Sequence, residues 1–221
     1  MDKRDDGWVK IILNWADENS ISDLEWIEHD SYLKGGYFRG LPRSKEKLLN
    51  LTELNLLGSQ LTDLPAEIGN LVHLKRLYLL GNQITTLPAE IGNLYNLEEL
   101  YVPGNQLKDL PKQIGALRNL KLLLLQENKL TNLPKDIGDL LSLETLELGG
   151  NKLASLPEEI GKLTNLSKLT LWRNKITKLP KEMKNLLNLR EFDCIYNKLE
   201  LTKEDVQWLE NLMTKDCSVS I

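Results

Sequence analysis

Residues 74–96 read LKRLYLLGNQITTLPAEIGNLYN and contain one complete copy of a pattern that recurs along the chain. Leucine recurs every 23 residues, at Leu51, Leu74, Leu97, Leu120, Leu143, Leu166 and Leu189. A second series in phase with it is Ser59, Asn82, Asn105, Asn128, Asn151, Asn174 and Asn197. The dipeptide Leu-Pro forms a third series of six copies, from Leu64-Pro65 to Leu179-Pro180. Three coincident series establish an internal repeat of the form LxxLxLxxNxLxxLPxxIGxLxx.

The first half of each copy predicts a short β-strand that ends at the asparagine. Leu77 and Leu79 alternate with Arg76, Tyr78 and Leu80, so the two sets point to opposite sides of the strand. The asparagine stands where the chain must turn, and its amide can satisfy backbone groups that the turn leaves unpaired. Stacked copies therefore predict a ladder of asparagine side chains.

The second half of each copy predicts a short helical turn. Leu87, Ile91 and Leu94 fall on one helical face, Pro88 suits the first helical turn, and Gly92 shortens the turn or allows a tight bend. One copy cannot bury its leucines alone, whereas stacked copies bury them in a continuous core.

The predicted fold class is α/β, a curved leucine-rich-repeat solenoid. Short parallel strands about 4.8 Å apart line the concave face, short helical turns form the convex face, and helical caps close both ends. The curvature follows because strands pack closer together than the helical segments on the outer side.

The motif resembles that of the leucine-rich-repeat superfamily over roughly residues 48–199. Its second half, LPxxIGxL, is similar to the 23-residue repeats of Ras-group proteins and of spirochaete and other bacterial leucine-rich-repeat proteins. The resemblance implies a horseshoe that binds proteins on its concave side. The motif is specific for the fold and unspecific for the function.

Three regions are predicted: an N-terminal cap with a degenerate repeat (1–47), seven strand-bearing repeats (48–199), and a C-terminal capping helix with a tail (200–221). Residues 41–50 align with 64–73, so residues 28–50 read as the degenerate repeat. Apolar positions at helical spacing predict an α-helical cap over residues 6–30, with its tryptophans on the first repeat. Thr202 and Asp205 predict a capping box before a helix whose apolar face contains Val206, Leu209 and Leu212 or Met213. Residues 214–221 are expected to form a loose tail.

Composition excludes several classes of function. The net charge of -4 argues against general nucleic-acid binding. The sequence contains no run of 18 apolar residues, so it predicts no membrane span. The apolar run from Trp8 to Leu13 is broken by Lys10 and is too short for a secretory signal, and Cys194 and Cys217 form no disulfide framework. The expected location is the cytoplasm, with export by a non-classical route left open.

Charge is unevenly distributed along the chain. Residues 1–30 carry three basic and nine acidic residues, whereas residues 162–203 carry ten basic and four acidic residues. The two segments are either two solvated surfaces of a monomer, which is the expected state, or the ends of a self-assembling structural or scaffold protein.

The sequence offers no constellation for catalysis. Its two histidines, His29 and His73, have no cysteine or second histidine at metal-ligand spacing, and no phosphate-binding loop, nucleophile elbow or HExxH motif occurs. We therefore expect no enzymatic activity, no cofactor and no metal.

Strand alternation predicts a protein-binding face on the concave side. The candidate residues are Leu57, Arg76, Tyr78, Leu80, Glu99, Tyr101, Leu122, Leu124, Glu147, Trp172, Asp193 and Ile195. An unpartnered sheet face should be mostly polar, whereas this one combines apolar and aromatic residues with an acidic rim, as protein interfaces do. The alternative is that these side chains cover one another across strands and only stabilise the sheet.

The residues that follow the asparagine series form a further column: Gln60, Gln83, Gln106, Lys129, Lys152, Lys175 and Lys198. Four lysines stacked at the strand pitch repel one another mildly, so a purely structural role does not explain them. The column is either a solvated rim or a contact for an acidic partner or an anionic surface.

Overall fold

The computed structural model describes residues 7–27, 37–215 and 217–221. Its strands are β1 (Glu25–Ile27), β2 (Tyr37–Arg39), β3 (Glu53–Asn55), β4 (Arg76–Tyr78), β5 (Glu99–Tyr101), β6 (Leu122–Leu124), β7 (Thr145–Glu147), β8 (Lys168–Thr170), β9 (Glu191–Asp193) and β10 (Ser218–Ser220). Its α-helices are α1 (Gly7–Glu18), α2 (Lys45–Leu49) and α3 (Lys203–Met213). Its 3-10 turns are Ala66–Asn70, Ala89–Asn93, Lys112–Ala116, Lys135–Asp139, Glu158–Lys162 and Lys181–Asn185.

The strands β3 to β10 form one parallel sheet in sequence order, and the repeat predicts the seven strands from β3 to β9. Neighbouring strands from β3 to β9 pair in a register of one repeat, so Leu77 lies beside Leu54 and Leu100. The inward side chains Leu77 and Leu79 are fully buried, and the core of stacked leucines runs from α1 to α3. The predicted leucine-rich-repeat solenoid is therefore confirmed, with its sheet on the concave side.

The outer side of each repeat is a 3-10 turn, which begins just after the proline. Pro88 has extended backbone angles and caps the turn Ala89–Asn93, so it lies before the turn and not in it. The glycine of the turn is explained by packing between repeats. A Cβ atom on Gly92 would lie 2.6 Å from the carbonyl oxygen of Gln113 in the next repeat, so only glycine allows the turns to stack this closely.

The predicted asparagine ladder is present from Asn82 to Asn197. In each of these repeats the Oδ1 atom accepts from a backbone N–H 21 residues earlier, and Nδ2 donates to a carbonyl 26 residues earlier; for Asn128 these are Leu107 at 3.0 Å and Val102 at 2.9 Å. Each amide therefore satisfies buried backbone groups and joins consecutive repeats.

A second asparagine ladder joins the repeats ahead of the strands. Asn96, Asn119, Asn165 and Asn188 each donate through Nδ2 to a carbonyl 24 residues earlier, at 2.7–2.8 Å. This series was not predicted from the sequence, although its 23-residue spacing is visible once Ser142 is placed between Asn119 and Asn165.

The N-terminal end differs from the cap predicted over residues 6–30. Helix α1 ends at Glu18, with Ile12, Trp15 and Ala16 buried against the first repeat, whereas residues 25–27 form β1 and pair antiparallel with β2. The degenerate repeat over residues 28–50 lies partly outside the described residues, since 28–36 are not described. Its second part contains α2, a true α-helix capped by the side chain of Ser44.

The C-terminal end confirms the capping box and corrects the residues around it. The Thr202 hydroxyl accepts from the N–H of Asp205 at 3.2 Å, and the Asp205 carboxylate accepts from the N–H of Thr202 at 2.9 Å. Trp208, Leu209 and Leu212 form the buried face of α3, and Val206 is exposed instead. Trp208 packs edge-on against Phe192, at 5.6 Å between ring centroids, which sets the helix orientation.

The loose tail expected over residues 214–221 is wrong in part, because β10 extends the sheet beside β9. Ser218 and Cys194 supply backbone N–H groups to the pairing, at 2.8 and 2.7 Å. The proposed limits of the three regions, at residues 47 and 199, stay a prediction.

We predict that Leu123→Ala lowers the free energy of unfolding by about 2–5 kcal/mol, because Leu123 is fully buried and its truncation leaves a cavity. Urea unfolding followed by circular dichroism measures the change. The control is Leu141→Ala, whose side chain is 56% exposed and should change stability by less than about 0.5 kcal/mol. Equal effects of the two changes would contradict the repeat register.

We predict unequal contributions from the two asparagine ladders. Asn128→Ala leaves the buried Leu107 N–H and the buried carbonyls of Val102 and Leu125 without the amide as their partner and should cost about 1–3 kcal/mol. Asn119→Ala removes one exposed bond, to the Tyr95 carbonyl, and should cost about 0.5 kcal/mol. The same urea titration tests this, and a larger cost at Asn119 would show that the outer ladder determines the stacking.

Candidate functional site

The structure places the twelve candidate residues on the concave side of the sheet and at the strand ends beside it, and each of them is half-buried. The register sets Tyr78 beside Tyr101, Tyr101 beside Leu124, and Leu124 beside Glu147. Leu57, Leu80, Trp172 and Ile195 lie two residues after the last residue of their strands, in a parallel column. Their role in binding stays a prediction.

Two stacked tyrosines form the centre of the N-terminal half of this face. The rings of Tyr78 and Tyr101 lie 4.5 Å apart between centroids and 20° from parallel. The Tyr101 hydroxyl donates to Glu99 at 2.6 Å. Burial raises the pKa of Tyr78 and of Tyr101, and the hydrogen bond to Glu99 raises that of Tyr101 further. Both phenols therefore stay neutral, and the pair is an ordered aromatic platform.

The acidic residues expected to rim the face are paired with neighbours on it. Glu53 accepts from Arg76 at 2.8 Å, and Lys168 lies between Glu147 at 3.0 Å and Glu191 at 3.2 Å. The hydrogen bond to Glu147 raises the pKa of Lys168, so the ammonium group stays charged. Half-exposed pairs of this kind contribute little to stability, but they hold long side chains in place.

Asp193 has a local structural role at the end of the sheet. Its Oδ1 atom accepts from the backbone N–H of Ile195 at 3.1 Å, as Asn55 does for Leu57 at 3.0 Å at the other end. Between Glu147 and Asp193 in the same column lies Thr170, whose side chain is buried and whose hydroxyl has no hydrogen-bond partner among the described residues. An unpaired buried hydroxyl is a local cost to the fold.

Trp172 lies against Gly149 of the preceding repeat. A Cβ atom on Gly149 would be 2.1 Å from Nε1 and Cε2 of the indole, so any other residue would displace the ring. Gly150, which follows, is covered in the same way by the carboxylate of Glu127. The side chains of Trp172 and Glu127, from the two neighbouring repeats, therefore pack directly on the backbone of Gly149 and Gly150.

A left-handed backbone conformation recurs one residue before each member of the series from Ser59 to Asn197. Gly58, Gly81, Gly104 and Gly150 adopt it with φ of 61–69°, but Glu127, Arg173 and Tyr196 occupy the same turn position with φ of 51–57°. A residue with a side chain pays roughly 1 kcal/mol for this conformation, which glycine adopts freely. Two of the three costly positions flank Trp172 and Ile195 in the chain.

The lysine column lies at the edge of the sheet, beyond these turns. Lys129 donates to Gln106 at 2.8 Å. Lys152, Lys175 and Lys198 are exposed, and no carboxylate lies within ion-pair distance of them in the described part of the chain. The acidic segment of the opposite end falls partly on residues 1–6 and 28–30, outside the described residues, so the self-assembly alternative stays a prediction.

Three exposed large apolar side chains lie off the predicted face, at the same position of alternate repeats. Tyr95, Leu141 and Leu187 are 53%, 56% and 62% exposed, and each stands one residue before a member of the second asparagine series or before Ser142. This column was not predicted from the sequence, because these residues occupy an unassigned position of the repeat motif. Their regular spacing of 46 residues was the available signal.

The described residues provide little for nucleophilic or metal chemistry. Burial raises the pKa of the Cys194 thiol to about 12 and also raises that of Cys217, which is buried as well. No group of three metal-ligating side chains occurs among the described residues, and His29 lies outside them. None of the described helices is long and apolar enough to cross a membrane.

Residues 42–123 and 107–215 match the family described as leucine-rich repeat region. A leucine-rich-repeat protein of Leptospira interrogans is similar in structure, with 37% identity, a TM-score of 0.61 and 76% of this chain covered. The ectodomain of the Arabidopsis thaliana receptor kinase GASSHO1/SCHENGEN3, solved with Casparian strip integrity factor 2, has 31% identity, a TM-score of 0.66 and 71% coverage. The plant peptide hormone receptor RGFR1, solved with RGF2, has 34% identity, a TM-score of 0.65 and 79% coverage.

The chain corresponds to part of each of these structures: 49% of the Leptospira protein, 20% of the GASSHO1 ectodomain and 30% of RGFR1. No curated protein matches the sequence significantly. The similarity therefore concerns the repeat unit and its stacking.

We predict that Gly149→Ala displaces the Trp172 indole towards solvent, because the new methyl group would occupy the position of the ring. Acrylamide quenching of tryptophan fluorescence should increase. Since the chain has five tryptophans, the same change in a Trp172→Phe background is the control and should leave quenching unchanged. Equal quenching of the wild type and Gly149→Ala would show that Trp172 is not held by this contact.

Proposed function

This chain belongs to the leucine-rich-repeat family, and we propose that it is a protein-interaction module that binds a protein partner on its concave sheet face. The proposal assigns it no catalytic activity, no cofactor and no nucleic-acid ligand. The partner contacts are the twelve half-buried residues of the concave side, with Tyr78, Tyr101, Leu124 and Trp172 as anchors.

The ordered aromatic residues of the concave side are the observation that carries the proposal. The tyrosine stack is held by ring contact and by the bond to Glu99, and Trp172 is held on Gly149. Binding orders fewer side chains when the anchors are already fixed, so less entropy is lost on association. Tyrosine and tryptophan are also the residues that contribute most to binding at interfaces.

Ordered charges lie beside the apolar residues of the concave face. Arg76 and Lys168 pair with carboxylates on the neighbouring strands and stay partly exposed, so their charged groups remain accessible to a partner. This arrangement of an apolar centre with ordered charges at its edge is the usual anatomy of a protein interface.

The similar receptors support the same class of function. The GASSHO1 ectodomain is solved in complex with Casparian strip integrity factor 2, and RGFR1 in complex with RGF2. A shared repeat fold does not define the partner, which must follow from the side chains on the face.

We predict that threonine at Tyr78, Tyr101, Leu124 and Trp172 together abolishes capture of the partner. Threonine keeps the strand backbone favourable but removes the aromatic and apolar anchors. Wild-type and variant chains, immobilised at equal density, are compared by affinity capture with quantitative mass spectrometry. The partner protein should be enriched by about tenfold or more on the wild-type chain relative to the four-site variant.

The matched control replaces Tyr95, Leu141 and Leu187 with threonine, which removes exposed apolar side chains from a different surface. This variant should capture the partner as the wild type does. Thermal unfolding of both variants must show a folded chain. Capture that is kept by the four-site variant and lost by the control would contradict the concave site and assign binding to the other surface.

A further inference from the structure

We propose that the C-terminal part of the concave face and its lysine edge bind an acidic peptide segment of the partner, anchored on Trp172, Arg173, Ile195 and Tyr196. This proposal rests on the proposed function and specifies the chemistry of the ligand. The four residues, called the C-terminal patch below, lie in two consecutive repeats.

Three local costs to the fold lie in or next to this patch. Arg173 and Tyr196 adopt left-handed backbone angles at the turn position where four other repeats place glycine. The buried hydroxyl of Thr170, two residues before Trp172, lacks a hydrogen-bond partner among the described residues. Costs that a simpler residue would avoid are typical of functional sites, because function and not stability accounts for the side chain.

The side chains at these costly positions are those that interfaces use. Tyr196 is 74% exposed, Arg173 is exposed, and both follow directly the concave residues Ile195 and Trp172. Tryptophan, tyrosine and arginine dominate binding energy at interfaces. By contrast, the tyrosines of the N-terminal half are half-buried and stack on each other.

Charge complementarity indicates an acidic ligand. Lys152, Lys175 and Lys198 stand two residues after Gly150, Arg173 and Tyr196, so the basic column runs directly beside the patch. These lysines and Arg173 have no ion-pair partner in the described ranges. With Lys129 the column extends over three repeat steps, about 14 Å, which an extended peptide spans with about four or five residues.

A peptide fits this arrangement better than an anionic membrane. Trp172 and Ile195 lie at the concave side, which a flat bilayer cannot reach together with the edge. Glu147, Glu191 and Asp193 outnumber Lys168 on the sheet beside them, so they would repel an anionic surface that covers the whole face. A narrow segment can place apolar side chains on Trp172 and Ile195 and carboxylates on the lysines.

The test uses fluorescein-labelled peptides of about twelve residues, in which Glu alternates with Leu and Phe, with Gln and Lys replacing Glu in two matched peptides. Fluorescence anisotropy with the full chain should show binding of the Glu peptide that weakens with added salt, and little binding of the other two. The Lys152→Glu, Lys175→Glu, Lys198→Glu triple variant and Trp172→Ala should each weaken binding by about tenfold or more.

Glycine substitutions separate a binding role from a structural one. Arg173→Gly and Tyr196→Gly relieve the strain of the left-handed backbone, so each should keep or raise the Tm. Each should also weaken binding of the Glu peptide several-fold. Glu127→Gly is the matched control, because it relieves the same conformation outside the patch. This variant should keep or raise the Tm without weakening binding of the Glu peptide.

Four results would overturn the proposal. The first is equal binding of the Gln peptide, and the second is unchanged binding by the triple lysine variant. The third is binding to phosphatidylserine vesicles that depends on the lysines and not on Trp172, which would assign the edge to a lipid surface. Absence of any binding to the Glu peptide would likewise overturn it.

The failure of this proposal is distinguishable from failure of the proposed function. If the four-site concave variant loses the native partner while the triple lysine variant and Arg173→Gly still bind it, the concave interface is supported and the acidic-peptide proposal is wrong. A partner kept by the four-site variant removes the concave interface itself.

Discussion

The spacing of about 4.8 Å between hydrogen-bonded parallel strands is the constraint on which the rest of this structure depends. Since neighbouring strands from β3 to β9 pair one repeat apart, every repeat position becomes a column of side chains at that spacing. Inward columns become a leucine core, and the asparagine column becomes a ladder. The outer side must fit the same stack, and glycine in the 3-10 turns allows the close approach that this requires.

The same spacing explains how the concave face acquires its order. Residues that are 23 positions apart in sequence lie side by side, so Tyr78 stacks on Tyr101 and Glu147 reaches Lys168. A repeated backbone thus offers seven nearly equivalent places for each side chain, and departures from the repeat become features of the surface. Gly149 is such a departure, since the absence of a side chain leaves space that the indole of Trp172 occupies.

Departures that weaken the repeat are concentrated towards its C-terminal half. Glu127, Arg173 and Tyr196 replace glycine in the left-handed turn, and lysine replaces glutamine in the edge column from residue 129 onwards. The N-terminal half keeps glycine and glutamine at those positions and carries the tyrosine stack. The solenoid therefore presents two chemically different halves on one scaffold, which is how a repeat protein obtains a specific surface without changing its fold.

The sequence by itself determined the repeat length, the strand register, which side of each strand faces the core, and the first asparagine ladder. These follow from periodicity, because a burial pattern repeated with a constant step admits one stacking. Tertiary structure alone decided the ends, where β1 and β10 formed in place of the expected helix and tail, because no repeat constrains those residues. It also decided the pairing of the acidic residues, the seat of Trp172 and the burial of Cys217, since contacts between columns depend on side-chain reach and rotamer, which periodicity does not encode.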